Sequence, residues 1–203
     1  MKRLIFVVLI LMVGITMSAE VDMKYHGKDF VNESMYYVAW ACWFKPGDFL
    51  VTSAYRIKTI GCAYLYTPEN AVLDIYITSK EDGGRPVCNP DNGWFGADYS
   101  LKGWNPTYHL GEPQYDDTNV YDKDWHYPFS VSKFWVMYHQ VQGDKKITFY
   151  MGCTCNKWNS YIYRTKEDGW QTKGWNWWMH CVIECPPTSI ESTSLGQIKT
   201  LFK

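Results

Sequence analysis

Residues able to do chemistry are plentiful in this chain, but few stand in patterns that would let them act together. Seven cysteines (Cys42, Cys62, Cys88, Cys153, Cys155, Cys181 and Cys185) and five histidines (His26, His109, His126, His139 and His180) are the obvious ligands and nucleophiles. A zinc centre built from Cys153, Cys155, Cys181 and Cys185, with His180 nearby, would need four thiolates at one tetrahedral point. Their spacing is that of no standard finger. No Gly-x-Ser-x-Gly elbow, His-Glu-x-x-His pair, phosphate-cradling glycine loop or Cys-x-x-Cys redox pair occurs. No histidine sits beside an evident nucleophile, and each reads as a surface or loop residue. The carboxylates Asp116, Asp117, Asp122 and Asp124 lack the alternation and closing Glu of a calcium loop and read as solvated loop. The expectation is a protein that is not an enzyme and holds neither metal nor cofactor.

Aromatic side chains are the excess that asks for an explanation. The 203 residues include 11 Trp, 16 Tyr and 9 Phe. Trp and Tyr join a large apolar face to one hydrogen-bonding edge, which suits both ligand pockets and sugar platforms. The same rings also fill ordinary cores. The leading expectation is a binding protein that sequesters a small apolar ligand in an aromatic-lined barrel or cleft. Its inward-facing candidates are Tyr64, Tyr76, Phe134, Tyr138, Phe149, Met151, Tyr161 and Tyr163. The alternative is a β-sandwich that contacts a protein or a glycan through exposed rings at Trp94, Trp104, Trp125, Trp175, Trp177 and Trp178. Nucleic acid is not an expected partner, because 20 basic residues face 21 acidic ones.

The chain start bears on how the cysteines are read. Met1, Lys2 and Arg3 precede ten apolar residues, 4–13, followed by Gly14, Thr16, Ser18 and Ala19. This order reads residues 1–19 as an export signal, with a cut after Ser18 favoured because it places Thr16 three positions back. The apolar run is too short to span a bilayer, so residues 20–203 are expected to be one secreted, extracellular β-rich domain. In an oxidising compartment the seven cysteines become disulfide candidates. The odd one is left free or links two chains as a dimer, and sequence leaves the connectivity open. Asn32-Glu33-Ser34 is an acceptor for N-glycosylation at Asn32.

The elements that must position these groups read as short strands. Apolar and aromatic runs at 35–44, 49–66, 71–78, 133–141, 146–155 and 159–165 are bounded by clusters such as Lys45-Pro46-Gly47-Asp48 and Glu81-Asp82-Gly83-Gly84. Gln142-Gly143-Asp144-Lys145 looks like a tight hairpin. Residues 85–128 carry five prolines and read as long aromatic loops with short edge strands. The class is all-β and antiparallel, as a disulfide-stabilised barrel or, alternatively, a disulfide-bonded sandwich.

The stretch Tyr161-Ile162-Tyr163-Arg164-Thr165-Lys166-Glu167, after the strand pair 134–138 and 147–153, resembles the end of a lipocalin barrel. Ile60-Gly61-Cys62-Ala63-Tyr64, a turn and residues 71–78 are similar to the second and third strands of secreted arthropod lipocalins. The resemblance implies a single barrel in which Arg164 packs on Trp40 or Trp43. The family's Gly-x-Trp is absent, since Val38 precedes Ala39-Trp40 and Ala41 precedes Cys42-Trp43. Its Thr-Asp-Tyr is also absent, Tyr138-His139-Gln140 standing in that region.

Overall fold

Runs of β-branched and aromatic residues become strands over most of the chain, and the Gly, Pro and Asn clusters become its turns. A computed structural model describes residues 19–25, 30–32, 38–107, 109–120, 131–152, 159–172, 174 and 176–185. In chain order the strands are β1 (Ala19–Lys24), β2 (Phe30–Asn32), β3 (Ala39–Phe44), β4 (Arg56–Thr67), β5 (Val72–Thr78), β6 (Glu81–Asp82), β7 (Arg85–Pro86) and β8 (Tyr99–Trp104). They continue as β9 (His109–Asn119), β10 (Phe134–Gln142), β11 (Thr148–Gly152), β12 (Ser160–Tyr163), β13 (Trp170–Thr172), β14 (Asn176–Trp177) and β15 (Met179–Cys185). The helical content among these residues is two 3-10 turns, Pro46–Phe49 and Pro90–Asn92.

Every strand pairing among the described residues is antiparallel. One sheet runs β1-β15-β4-β11-β14, with β2 added on β11 and β9 on β4. The other runs β13-β12-β3-β10-β5-β8. The all-β, antiparallel class is as expected. The described strands close no barrel, however, since the second sheet ends on β13 and β8. The main core takes side chains from both sheets: Ile60, Cys62, Phe149 and Cys181 from the first, and Trp40, Ile75, Val136 and Tyr138 from the second.

Alternation along β5 and β10 sends Leu73, Ile75, Ile77, Phe134, Val136 and Tyr138 into that core. The opposite faces carry Tyr76, Trp135 and Met137, which are buried as well. Their cover is the segment after β7. It contributes Cys88 and Trp94 to a second cluster with Ala39, Ala41, Tyr163 and Trp170. The second sheet is therefore apolar on both faces.

Several expectations are corrected. No two described cysteines are bonded to each other. Cys42 stands opposite Val136 and Ser160, Cys62 opposite Met179, Cys181 opposite Met23 and Ile60, and Cys185 opposite Ala19. No ladder among the described residues therefore sets one cysteine against another. Cys42, Cys62, Cys88 and Cys181 are buried. Cys153 and Cys155, like residues 1–18, lie outside the described residues. The link at 142–145 is no hairpin; it carries the chain from β10 in one sheet to β11 in the other. Buried Gln140 braces this corner, its Nε2 donating to the Lys145 carbonyl at 2.7 Å while its Oε1 accepts from the Ile147 N–H at 3.0 Å. Within 85–128, expected as long loops with short edge strands, residues 109–119 form one long edge strand on β4. Pro113 is tolerated because β9 pairs on one side only and slips register there.

Candidate functional site

Four strands of the first sheet set one row of residues side by side. Lys24 on β1 stands opposite His180 on β15, His180 opposite Gly61 on β4, and Gly61 opposite Asp117 on β9. With no side chain at Gly61, the imidazole of His180 lies across the gap and reaches the strand beyond. His180 Nε2 meets Asp117 Oδ1 at 2.8 Å, and Nδ1 meets Asp22 Oδ1 at 2.8 Å. A Cβ at position 61 would fall 2.0 Å from the Asp117 oxygen and 2.5 Å from His180 Nε2. His180 is buried, whereas the side chains of Asp22 and Asp117 are 43% and 47% exposed. His180 thus bridges two carboxylates, one at each ring nitrogen.

Aromatic rings flank this array. Tyr115, two residues before Asp117, packs edge-on against His180 at 4.8 Å and lies nearly parallel to Trp178, with centroids 6.4 Å apart. Both rings are partly exposed. The Lys24 ammonium lies 5.2 Å from the Tyr115 centroid and 2.7 Å from Asp22 Oδ2. Asp117 Oδ2 has no partner among the described residues. The face thus offers two flat rings, a free acceptor and an ammonium donor within one row. That composition suits binding.

Burial alone would raise the Asp22 carboxyl, but hydrogen bonds from Lys24 and His180 outweigh it and hold the group below its ordinary range. Asp74 on the second sheet is lowered in the same way. Desolvation is overcome there by the Gly103 N–H at 2.9 Å and by Lys102 at 3.0 Å. A depressed carboxylate stabilises the fold above its unfolded value and loses that contribution as pH falls through its folded value. The urea midpoint is therefore expected to fall below about pH 4, and less steeply in Asp22→Asn and Asp74→Asn. Equal slopes in all three proteins would refute the assignment.

The outer face of the second sheet carries a different group. Tyr76 stacks on Trp94 with centroids 4.0 Å apart and planes 8° apart. Trp94 also faces His139 at 5.3 Å and Trp170 at 6.4 Å. The Trp170 indole N–H donates to the Cys88 carbonyl at 3.0 Å. Desolvation pushes the Cys88 thiol up to about 12.

The eight residues expected to line one ligand cavity are divided by the fold. Tyr64, Phe134, Tyr138, Phe149 and Met151 belong to the main core, Tyr76 and Tyr163 to the second cluster, and Tyr161 packs half-buried against the latter. Around Phe149 the rings touch: Trp40 at 4.6 Å, Tyr64 at 5.2 Å, Trp177 at 6.0 Å and Tyr138 at 6.1 Å. Two surface clefts, of about 340 Å³ beside Tyr66 and Asn70 and about 210 Å³ beside Tyr55 and Val131, involve none of the eight. Of the rings expected outside, Trp94 and Trp177 are buried and Trp104 and Trp178 are partly exposed. Trp125 and Trp175 lie outside the described residues. Trp40 is buried in the core, Trp43 packs on Tyr25 at 5.2 Å, and Arg164 is exposed beyond β12. Asn32 lies on β2 opposite Tyr150.

Sequence reasoning missed His180, Asp22, Gly61 and Lys24, and read Asp117 as solvated loop. The available signal was a period-two pattern on β15, where His180 alternates with the apolar Met179 and Cys181. No helix among the described residues is long and apolar enough to cross a membrane. None of their His, Cys, Asp and Glu side chains gather in threes suited to a metal ion.

No protein-family model matches this chain, and no curated protein matches it. Among solved structures it is similar to a chain described as "Structure of infectious bursal disease virus Gx strain", with a TM-score of 0.26 and 8% identity. The match covers 85% of this chain and 32% of that one, so the chain spans about a third of its neighbour's length. A likeness this weak bears on neither fold nor role.

Proposed function

We propose that the chain is an exported, non-enzymatic binding protein, built as a β-sandwich, that holds a glycan on the outer face of its first sheet. The observation that carries this is the near-parallel, partly exposed Tyr115–Trp178 pair beside the open oxygen of Asp117. A sugar presents an apolar C–H face to stack on such rings and hydroxyls to meet a carboxylate and an ammonium. Lys24 already occupies the cation position beside Tyr115, which favours a neutral hydroxyl-bearing ring over a cationic group. Two open-ended sheets sharing one core support the sandwich reading, and the basic and apolar chain start supports export.

The test is a glycan array followed by calorimetric titration of the best binder. Trp178→Ala and Asp117→Asn are each expected to weaken binding about ten-fold, as expected for loss of roughly 1.4 kcal/mol of stacking or hydrogen bonding. Thermal midpoints measured alongside identify any loss that comes from unfolding. A protein that binds no glycan, or binds one equally well in both variants, overturns the reading; retrieval of a protein partner sensitive to the same substitutions would replace glycan with protein.

A further inference from the structure

On the outer face of the second sheet, one ring is packed against small residues by the loop that follows β7. Ala39 and Ala41 on β3 are small and fully buried, leaving a trough on the outer face beside Met137. Tyr76, His139, Tyr163 and Trp170 stand around it, and the indole of Trp94 fills it from above. The stacking on Tyr76, 4.0 Å between centroids at 8°, is the geometry with which a planar guest is held.

Three observations separate this arrangement from an ordinary patch of packing under a loop. Trp94 has a φ of +64°, a left-handed conformation that is costly for a bulky side chain. It stands between Gly93 at +62° and Gly96 at +95°, so residues free to change conformation lie on both sides. Trp135 Nε1 in the same cluster, and Nδ1 of His139 beside Trp94, are buried without a hydrogen-bond partner. Buried polar atoms of that kind are normally satisfied.

We infer that this trough is a binding site for a small planar aromatic molecule, and that Trp94 is a built-in stand-in that the guest displaces. The base of the loop is firm. Asn89 and Asn92 cap each other's backbone N–H groups at 3.0 Å, and the Trp94 N–H donates to the Asn89 carbonyl at 3.0 Å. The next residue, Phe95, is 83% exposed. Release of Trp94 thus swings a short tip about its glycines and leaves the sheet in place. A guest bearing a hydrogen-bonding edge gains partners that the indole leaves unused. The inference concerns the opposite sheet from the glycan face and stands or falls without it.

Indole, the ring of the stand-in itself, is the probe. Calorimetry is expected to show Trp94→Ala binding indole at least ten-fold more tightly than the unchanged protein, because the competing side chain is gone and every molecule is competent. In the unchanged protein, excess indole is expected to speed amide hydrogen exchange across 89–97 while exchange in β5 and β10 stays constant. Tyr76→Ala is expected to abolish both effects. Equal affinity in the unchanged protein and Trp94→Ala overturns the proposal. So does exchange at 89–97 that is unaltered or slowed by indole. If Trp94→Ala fails to fold, the exchange measurement on the unchanged protein decides alone.

Discussion

Gly61→Ala is expected to lower stability by about 2–4 kcal/mol, the size of losing two hydrogen bonds between a buried side chain and carboxylates. The added methyl would sit 2.0 Å from Asp117 Oδ1 and 2.5 Å from His180 Nε2, so both side chains must swing away and the three-strand clasp opens. Backbone pairing has little to do with this cost, since β4 keeps its ladders and φ at Gly61 is ordinary. The effect is therefore expected to depend on His180. In a His180→Ala background the same Gly61→Ala change should cost well under 1 kcal/mol, because the imidazole is absent and the half-exposed Asp117 carboxylate, no longer held by it, can swing clear. Urea unfolding of the four proteins provides the cycle. Equal costs in the two backgrounds would show that Gly61 serves the strand itself and not the clasp.

Phe149→Ala is expected to be at least as damaging, at about 3–5 kcal/mol, the usual range for deleting a buried phenyl ring. Phe149 is the hub of the main core, in ring contact with Trp40, Tyr64, Tyr138 and Trp177. Nearby, the Cys62 thiol donates to the Tyr64 hydroxyl at 2.8 Å, and burial holds that thiol well above its ordinary range. These polar groups limit how far the walls can collapse. Benzene should raise the thermal midpoint of the variant by several degrees and leave the unchanged protein unaffected, since an apolar void of that size accepts it. A midpoint of the unchanged protein that also rises with benzene would show that the centre between the sheets takes a guest without help from mutation. That would support the first expectation for Tyr64, Tyr138 and Phe149.

The candidate sites were legible in unequal measure. Tyr76 and Tyr163 were named from strand alternation, and they do share the second cluster. Trp94 and Trp178 were named for their rings, but their surroundings were not foreseen. His180 looked like an isolated histidine because its partners, Asp22 and Asp117, are 158 and 63 positions away. The disulfide expectation, for which the described cysteines show no bonded pair, had a related weakness. It followed from the chain start and the cysteine count, neither of which reports which strands become neighbours. The barrel expectation came from local strand signatures that barrels and sandwiches share.

Local chemistry along the chain determined the strands, the turns at Pro46 and at Gly83–Gly84, and which residues alternate between faces. These depend on steric preferences within a few residues, such as the left-handed φ of Gly83 and Gly84, and need no distant partner. Tertiary structure alone decided that the 142–145 link changes sheets, that Gly61 opens a path between His180 and Asp117, and that a distant loop lays Trp94 on Tyr76. Each depends on a pairing across long sequence separation. Many registers satisfy the same alternation there, and only the packing of the whole selects one.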